Sequence, residues 1–345
     1  MIKVCIIGHF GFGKNLLNGQ TIKTKTVTSE LEKQLGIEQV IKIDTHGGVK
    51  KLPIIIIKMI MAFIQCENII IFPAHNGVRI FVPLCNKINL LYKRKIHYCV
   101  IGGWLSSMIE DNRSLTKELK KITTIFVETR TMKKQLLNKG FSNVSILKNF
   151  KNIEVFAEPK QCLNKSKEIS FCTFSRVMRE KGIEQAVNAI NQIEEEYPEW
   201  DIKLDIYGQI DTEQTQWFEK INASFPKNIR YMGAVLYDES VQTIEKYTFL
   251  LFPTLFFTEG IPGTIIDAFA SGTPVIYSKW ESADDILEDG KTGISYEFGD
   301  YNGLLEAIRK GINNLMNYGE LSLNCKNEAQ KYMPEVAIRP LLKQL

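Results

Sequence analysis

Long apolar runs are the first thing this sequence lacks. The one stretch that tempts a membrane reading, residues 52–64, is interrupted by Lys58 and carries Pro53. It is shorter than the ~20 residues a spanning helix needs. A buried helix is expected there, with a membrane-surface helix as the alternative. No C-x-x-C pair occurs among the seven cysteines, and Cys5, Cys99 and Cys172 sit inside apolar stretches. They read as reduced core thiols in a cytosolic chain. Strong charge of one sign is also missing. Lysine and arginine number 43 against 39 acidic residues, a net +4, which fits anionic ligands and is too small to imply nucleic acid. There are no internal repeats or low-complexity tracts. No D-x-D pair stands at a suitable strand end, so no metal ion and no cofactor are expected. Asp284 and Asp285 lie in a helix-like run. The opening M-I-K-V-C-I-I-G is too short an apolar run for a signal peptide and reads as a first strand.

What is present is length for two cores and a repeated alternation. The chain has 345 residues, enough for two α/β domains. Short apolar strands at residues 3–7, 39–44, 68–72, 96–101 and 122–127 alternate with helical segments at 21–35, 52–65 and 79–91. That alternation marks a doubly wound parallel sheet, in which ligands sit beyond the carboxyl ends of the strands. His46, His75 and the turn Gly102-Gly103-Trp104 fall at such ends. Residues 154–168 are polar and aperiodic and read as a linker. A second α/β domain is expected over residues 169–325. The first domain is expected over residues 1–153, and the tail, 326–345, reads as helical.

The most informative stretch is residues 258–279, T-E-G-I-P-G-T-I-I-D-A-F-A-S-G-T-P-V-I-Y-S-K. It follows the apolar strand F-L-L-F-P and opens a helix at about Thr264. A helix start offers unpaired N–H groups and a positive dipole end, a ready site for a diphosphate. Gly260 and Gly263 allow close approach of a ligand to the main chain. Pro262 fixes the entry angle and Thr264 reads as the N-cap. Glu259 and Asp267, eight positions apart, can both face a ligand over that start and accept hydrogen bonds from sugar or ribose hydroxyls. The bland alternative is an ordinary βα turn that happens to contain glycines.

Two further stretches bear on the same chemistry. After the first strand comes G-H-F-G-F-G-K-N, where Gly8, Gly13 and Lys14 have P-loop spacing but Asn15 replaces the magnesium-binding Ser or Thr. A P-loop NTPase is therefore not expected. The other reading is a glycine loop around Gly11 and Gly13 whose backbone N–H groups approach a diphosphate. In the second half, S-R-V-M-R-E-K-G puts Arg176 and Lys181 just past a strand end. Arg gives a fork and Lys a point charge to phosphate.

Taken together, E-G-I-P followed by D-A-F-A-S-G-T-P-V-I resembles the E-x7-E region of retaining glycosyltransferases with the GT-B fold, of the family 4 or group 1 type. Asp267 stands in place of the second glutamate. Arg176 and Lys181 resemble the same family's G-R-L-x-x-E-K-G motif, with Ser175 for its glycine. N-I-R-Y-M-G-A-V, residues 228–235, is similar to a segment in which backbone groups near Val235 and Leu236 meet the nucleotide base. The resemblance covers about residues 170–300 well and the first domain poorly. It implies two Rossmann-like domains facing a cleft, with the tail returning to the first domain. It implies a UDP-sugar or other nucleotide-diphosphate sugar as donor, and a glycan or lipid-linked acceptor. In that reading Glu259 holds the transferred sugar, Arg176, Lys181 and the segment Gly260-Ile261-Pro262-Gly263-Thr264 hold the diphosphate, and Asp267 the ribose. Surface-polysaccharide synthesis is implied by the same likeness.

One departure stands out. Many relatives carry a His just after the strand at 96–101, where this chain has Gly102, Gly103 and Trp104. His97 begins that strand and reads as a core residue. His75 is the better candidate on the acceptor side. The departure keeps two alternatives open, a nucleotide-sugar epimerase and a non-catalytic partner subunit. Lys93, Arg94, Lys95 and six lysines between 117 and 139 read as a solvated face, or as a dock for an anionic bilayer.

Overall fold

The structure is a computed structural model and describes residues 1–14, 19–47, 51–153, 160 and 167–345. The chain divides into two compact units, one made of Met1–Asn152 with Met333–Leu345, the other of Ile153–Tyr332. Of the expected linker, Lys160 is described. Its ammonium donates to the Tyr247 carbonyl and the Thr273 hydroxyl of the second unit, at 3.2 and 2.7 Å. Asn15, on which the P-loop reading turned, lies outside the described residues.

The first unit is a parallel sheet of six strands: β1 (Ile2–Gly8), β2 (Val40–Asp44), β3 (Cys66–Ile71), β4 (Lys95–Cys99), β5 (Thr124–Val127) and β6 (Val144–Ile146), in the order β2-β1-β3-β4-β5-β6. Their β-branched runs suit strands buried on both faces, and Val4 to Ile7 and Ile69 to Ile71 are buried. One sheet face packs under the helices Leu52–Gln65 and His75–Tyr92. The other packs under Gly19–Leu35 and the returning tail, where Ala337, Ile338 and Leu341 join Val4, Ile6, Val27 and Leu31 in one core. Helix boundaries follow local chemistry. Pro53 sits in the first turn of Leu52–Gln65, and His75–Tyr92 ends on Lys93 in a left-handed conformation.

The helix Leu52–Gln65 departs from the expectation of burial. Ile55, Met59, Ala62 and Phe63 are buried, but Ile54, Ile57, Met61 and Ile64 stand exposed. Both faces of the segment are apolar, so periodicity alone could not show that only one of them is covered.

The second unit repeats the plan with β7 (Glu168–Phe174), β8 (Asp201–Tyr207), β9 (Ile229–Gly233), β10 (Phe249–Phe252), β11 (Val275–Ser278) and β12 (Gly293–Tyr296), all parallel, in the order β12-β11-β10-β7-β8-β9. In each sheet the winding reverses once. In the first unit the reversal lies between β1 and β3, and in the second between β7 and β10. Such switch points open a crevice at the carboxyl ends of the strands.

Candidate functional site

Two loops leave the switch point of the second sheet. The loop after β7 runs from Ser175 to Gly182 and contains a 3₁₀ turn over Arg179–Lys181. Gly182, at φ 69°, caps the helix Ile183–Glu196. A Cβ at this position would lie 1.9 Å from the Pro253 carbonyl oxygen. Glycine is therefore needed both for the backbone angle and for the approach of the second loop. That second loop leaves β10 at Pro253 and is stitched to the first, since the Leu255 N–H donates to the Glu180 carbonyl at 2.8 Å.

These loops bring two of the expected site residues together. The Lys181 ammonium pairs with Glu259 Oε1, with side chains 20% and 11% exposed. The buried Thr254 hydroxyl donates to the same Oε1 at 3.1 Å and accepts the Phe256 N–H, also at 3.1 Å. The Lys181 ammonium also lies 5.6 Å from the centre of the Phe256 ring. Removing one member of so enclosed a pair strands the other charge in a partly desolvated place. Thr254, Glu180 and Gly182 thus position the pair. Sequence reading passed over Thr254, whose only signal was its place at the end of an apolar strand.

Arg176 is placed differently. It is about half exposed and its Nη1 meets Asp211 Oδ2 at 3.3 Å, so it stands on the rim toward β8 and is not in contact with Glu259. The helix that follows Glu259 spans Gly263–Ser271, with Pro262 at the N-cap position and no side-chain cap. Thr264 is therefore not the N-cap. It lies inside the first turn, and its hydroxyl has no hydrogen-bond partner. Gly260 and Ile261 are buried and Gly263 is half-buried. Asp267 is 2% exposed. The helix is apolar on nearly all sides and packs between the helices Ser240–Ile244 and Tyr318–Ala329, so a residue one turn inside it is covered. Val235 and Leu236 lie in the loop after β9, Leu236 exposed.

The first unit has its own cavity at its switch point, of about 310 Å³, lined by Gly8, Gln20, Thr45, Phe72 and His75 among others. His75 begins its helix there, and its ring lies 5.1 Å from that of Trp104. Trp104 is half-buried and donates its indole N–H to the Ile101 carbonyl at 2.6 Å. Gly102, at φ 79°, makes the turn that presents it, while Gly103 is buried. An imidazole from beyond the end of β3 thus stands beside the turn that follows β4. His97 is buried in β4 with Nε2 3.3 Å from Asn68 Oδ1. Burial pushes its pKa down to about 4, as suits a neutral core residue.

In the glycine loop after β1 the Gly11 amide is already taken within the first unit. The Asp44 carboxylate accepts the N–H groups of Phe10, Gly11 and Phe12 at 2.9, 3.2 and 3.1 Å, and that of His46 at 2.9 Å. Burial opposes the Asp44 charge, but these four donors hold its pKa below the ordinary carboxylate value. Gly11 and Gly13 supply left-handed turns, φ 59° and 79°. Beside them His9 Nδ1 lies 2.7 Å from the Thr21 hydroxyl, and its Nε2 is 3.0 Å from His46 Nδ1. Burial first, then the neighbouring His46, lower the His9 pKa. His9 escaped sequence reading because its partners lie 12 and 37 residues away.

With this geometry in hand, likeness to known proteins adds a family. Residues 168–314 match the family Glycosyl transferases group 1. An uncharacterized glycosyltransferase of Methanocaldococcus jannaschii is 27% identical over 191 residues. That match takes in 51% of this chain and 44% of the relative, so less than half of the relative's length is spanned. Among solved structures, Anabaena HepE in complex with UDP-glucose has a TM-score of 0.75 at 12% identity, covering 100% of both chains. A sucrose-phosphate synthase from Thermosynechococcus elongatus has a TM-score of 0.76 at 15% identity, covering 100% of this chain and 99% of that one. The lipopolysaccharide outer core galactosyltransferase WaaB has a TM-score of 0.70 at 14% identity, covering 99% and 100%. Two doubly wound parallel sheets of this likeness give the protein the GT-B fold, and residues 168–314 of its second unit match the Glycosyl transferases group 1 family.

Proposed function

We propose that the protein is a glycosyltransferase that moves a sugar from a nucleotide-diphosphate sugar to a hydroxyl of a glycan or lipid-linked acceptor, with retention of configuration. One observation carries this reading: Lys181 and Glu259 meet at the switch point of the second sheet, inside the segment that matches the family. A cation there suits a diphosphate, and a carboxylate suits sugar hydroxyls. A UDP-sugar is the favoured donor, on the strength of the likeness to HepE.

In the reaction the bond between the sugar C1 and the diphosphate oxygen breaks, and the acceptor oxygen bonds to C1 on the same face. The acceptor's proton passes to the departing diphosphate, and the nucleoside diphosphate leaves. Lys181, the Gly263-Thr264 helix start and rim Arg176 neutralise the charge that develops, the kind of preorganised term that often dominates catalysis. This reading needs no metal ion. Glu259 orients the sugar. His75 and Trp104, beside the first unit's cavity, are assigned to the acceptor, and synthesis of surface polysaccharide is the role proposed for the product.

The test is turnover with an acceptor panel, following release of UDP and the anomeric configuration of the product by NMR. Glu259→Ala should lower turnover by about a hundredfold or more while the folded signal by circular dichroism is kept. Full activity in that variant would remove Glu259 from the site.

A further inference from the structure

The exposed face of the helix Leu52–Gln65 has no counterpart in the donor chemistry. Ile54, Ile57, Met61 and Ile64 repeat at three- and four-residue steps and so lie along one side. They are 59%, 60%, 51% and 52% exposed. A helix apolar all round is ordinarily buried all round, and exposed apolar patches of this kind mark interaction sites. The patch continues onto the neighbouring helix. Tyr92 packs on Phe63, Arg94 donates to the Phe63 and Ile64 carbonyls, and Leu90 and Leu91 beside them are the exposed end of His75–Tyr92.

Charge selects the occupant. Residues 51–95 contain seven basic side chains and one acidic one, Glu67, and Glu67 is already paired with Lys3. Lys51, Lys58, Lys87 and Lys93 are exposed. We propose that this face docks the first unit on the anionic surface of a lipid bilayer, with the isoleucines in the interfacial region and the lysines among the headgroups. Among the described residues no helix is long and apolar enough to cross a membrane, so the contact is one of lying on the surface. A second copy of the chain is the weaker fit, because a self-complementary interface would set this cationic face against itself. The inference does not rest on the donor site.

Vesicle flotation tests it, using phosphatidylcholine alone or with phosphatidylglycerol added, and no nucleotide sugar. The wild type and Glu259→Ala should float with the phosphatidylglycerol vesicles and much less with phosphatidylcholine alone. Ile57→Glu with Met61→Glu, and separately Lys58→Glu with Lys93→Glu, should each lower the bound fraction by about tenfold with an unchanged thermal midpoint. Equal binding to both vesicle types, no binding, or variants that float like the wild type would overturn it. So would a wild-type dimer in light scattering that Ile57→Glu with Met61→Glu abolishes without any vesicle binding.

Discussion

Glu259 and Lys181 are 78 residues apart in the chain, and the sequence motifs placed both beyond strand ends but could not show that they touch. What joins them is the adjacency of β7 and β10, a property of strand order and not of either motif. Asp267 is a different case. Its spacing from Glu259 was legible, but its burial comes from the packing of neighbouring helices, which no local motif shows. His97 gives a residue-scale prediction. Burial holds its pKa at about 4, below the ordinary histidine value of about 6.5, so between those values the unfolded chain binds a proton that the folded chain does not. Stability is then full above about pH 6.5, falls as pH drops toward about 4, and levels below. The loss amounts to about 3 kcal/mol at most. Urea unfolding of the wild type and His97→Gln across this range measures it. The variant's curve should be flatter, and parallel curves would refute the assignment.

At the scale of elements, most of the strands and helices were legible because their apolar runs and stop signals are local. Gly272 ends the helix Gly263–Ser271 at φ 66°, as a glycine after a helical run should. The glycine loop after β1 was not legible in the same way. Its geometry is visible in Gly11 and Gly13, but the carboxylate that takes its amides is Asp44, more than thirty residues on. The exposed face of Leu52–Gln65 was hidden for another reason, since inner and outer faces carry the same residue types. The two stitched loops of the second unit yield a prediction at this scale. Gly182→Ala places a methyl against the Pro253 carbonyl at a left-handed backbone angle. It should cost roughly 2–4 kcal/mol, read as a lowered thermal midpoint. A midpoint unchanged from wild type would mean that the loops can part without loss.

At the scale of the whole molecule, the chain builds one plan twice and then returns. The segment Met333–Leu345 belongs to the first unit, where Ile338 and Leu341 are fully buried. The sequence marked the tail as helical, but its place in that core depends on contacts with Val4, Ile6 and Leu31, more than three hundred residues earlier. In both units chemistry-bearing residues gather where the winding of the sheet reverses, the place this architecture favours for ligands.

The central claim is that the second unit's switch point holds a diphosphate through Lys181. Isothermal titration calorimetry with UDP measures this directly. The account predicts saturable binding by the wild type and affinity about tenfold to a hundredfold weaker for Lys181→Ala. Absence of UDP binding by the wild type, or equal affinity in the two proteins, would contradict it.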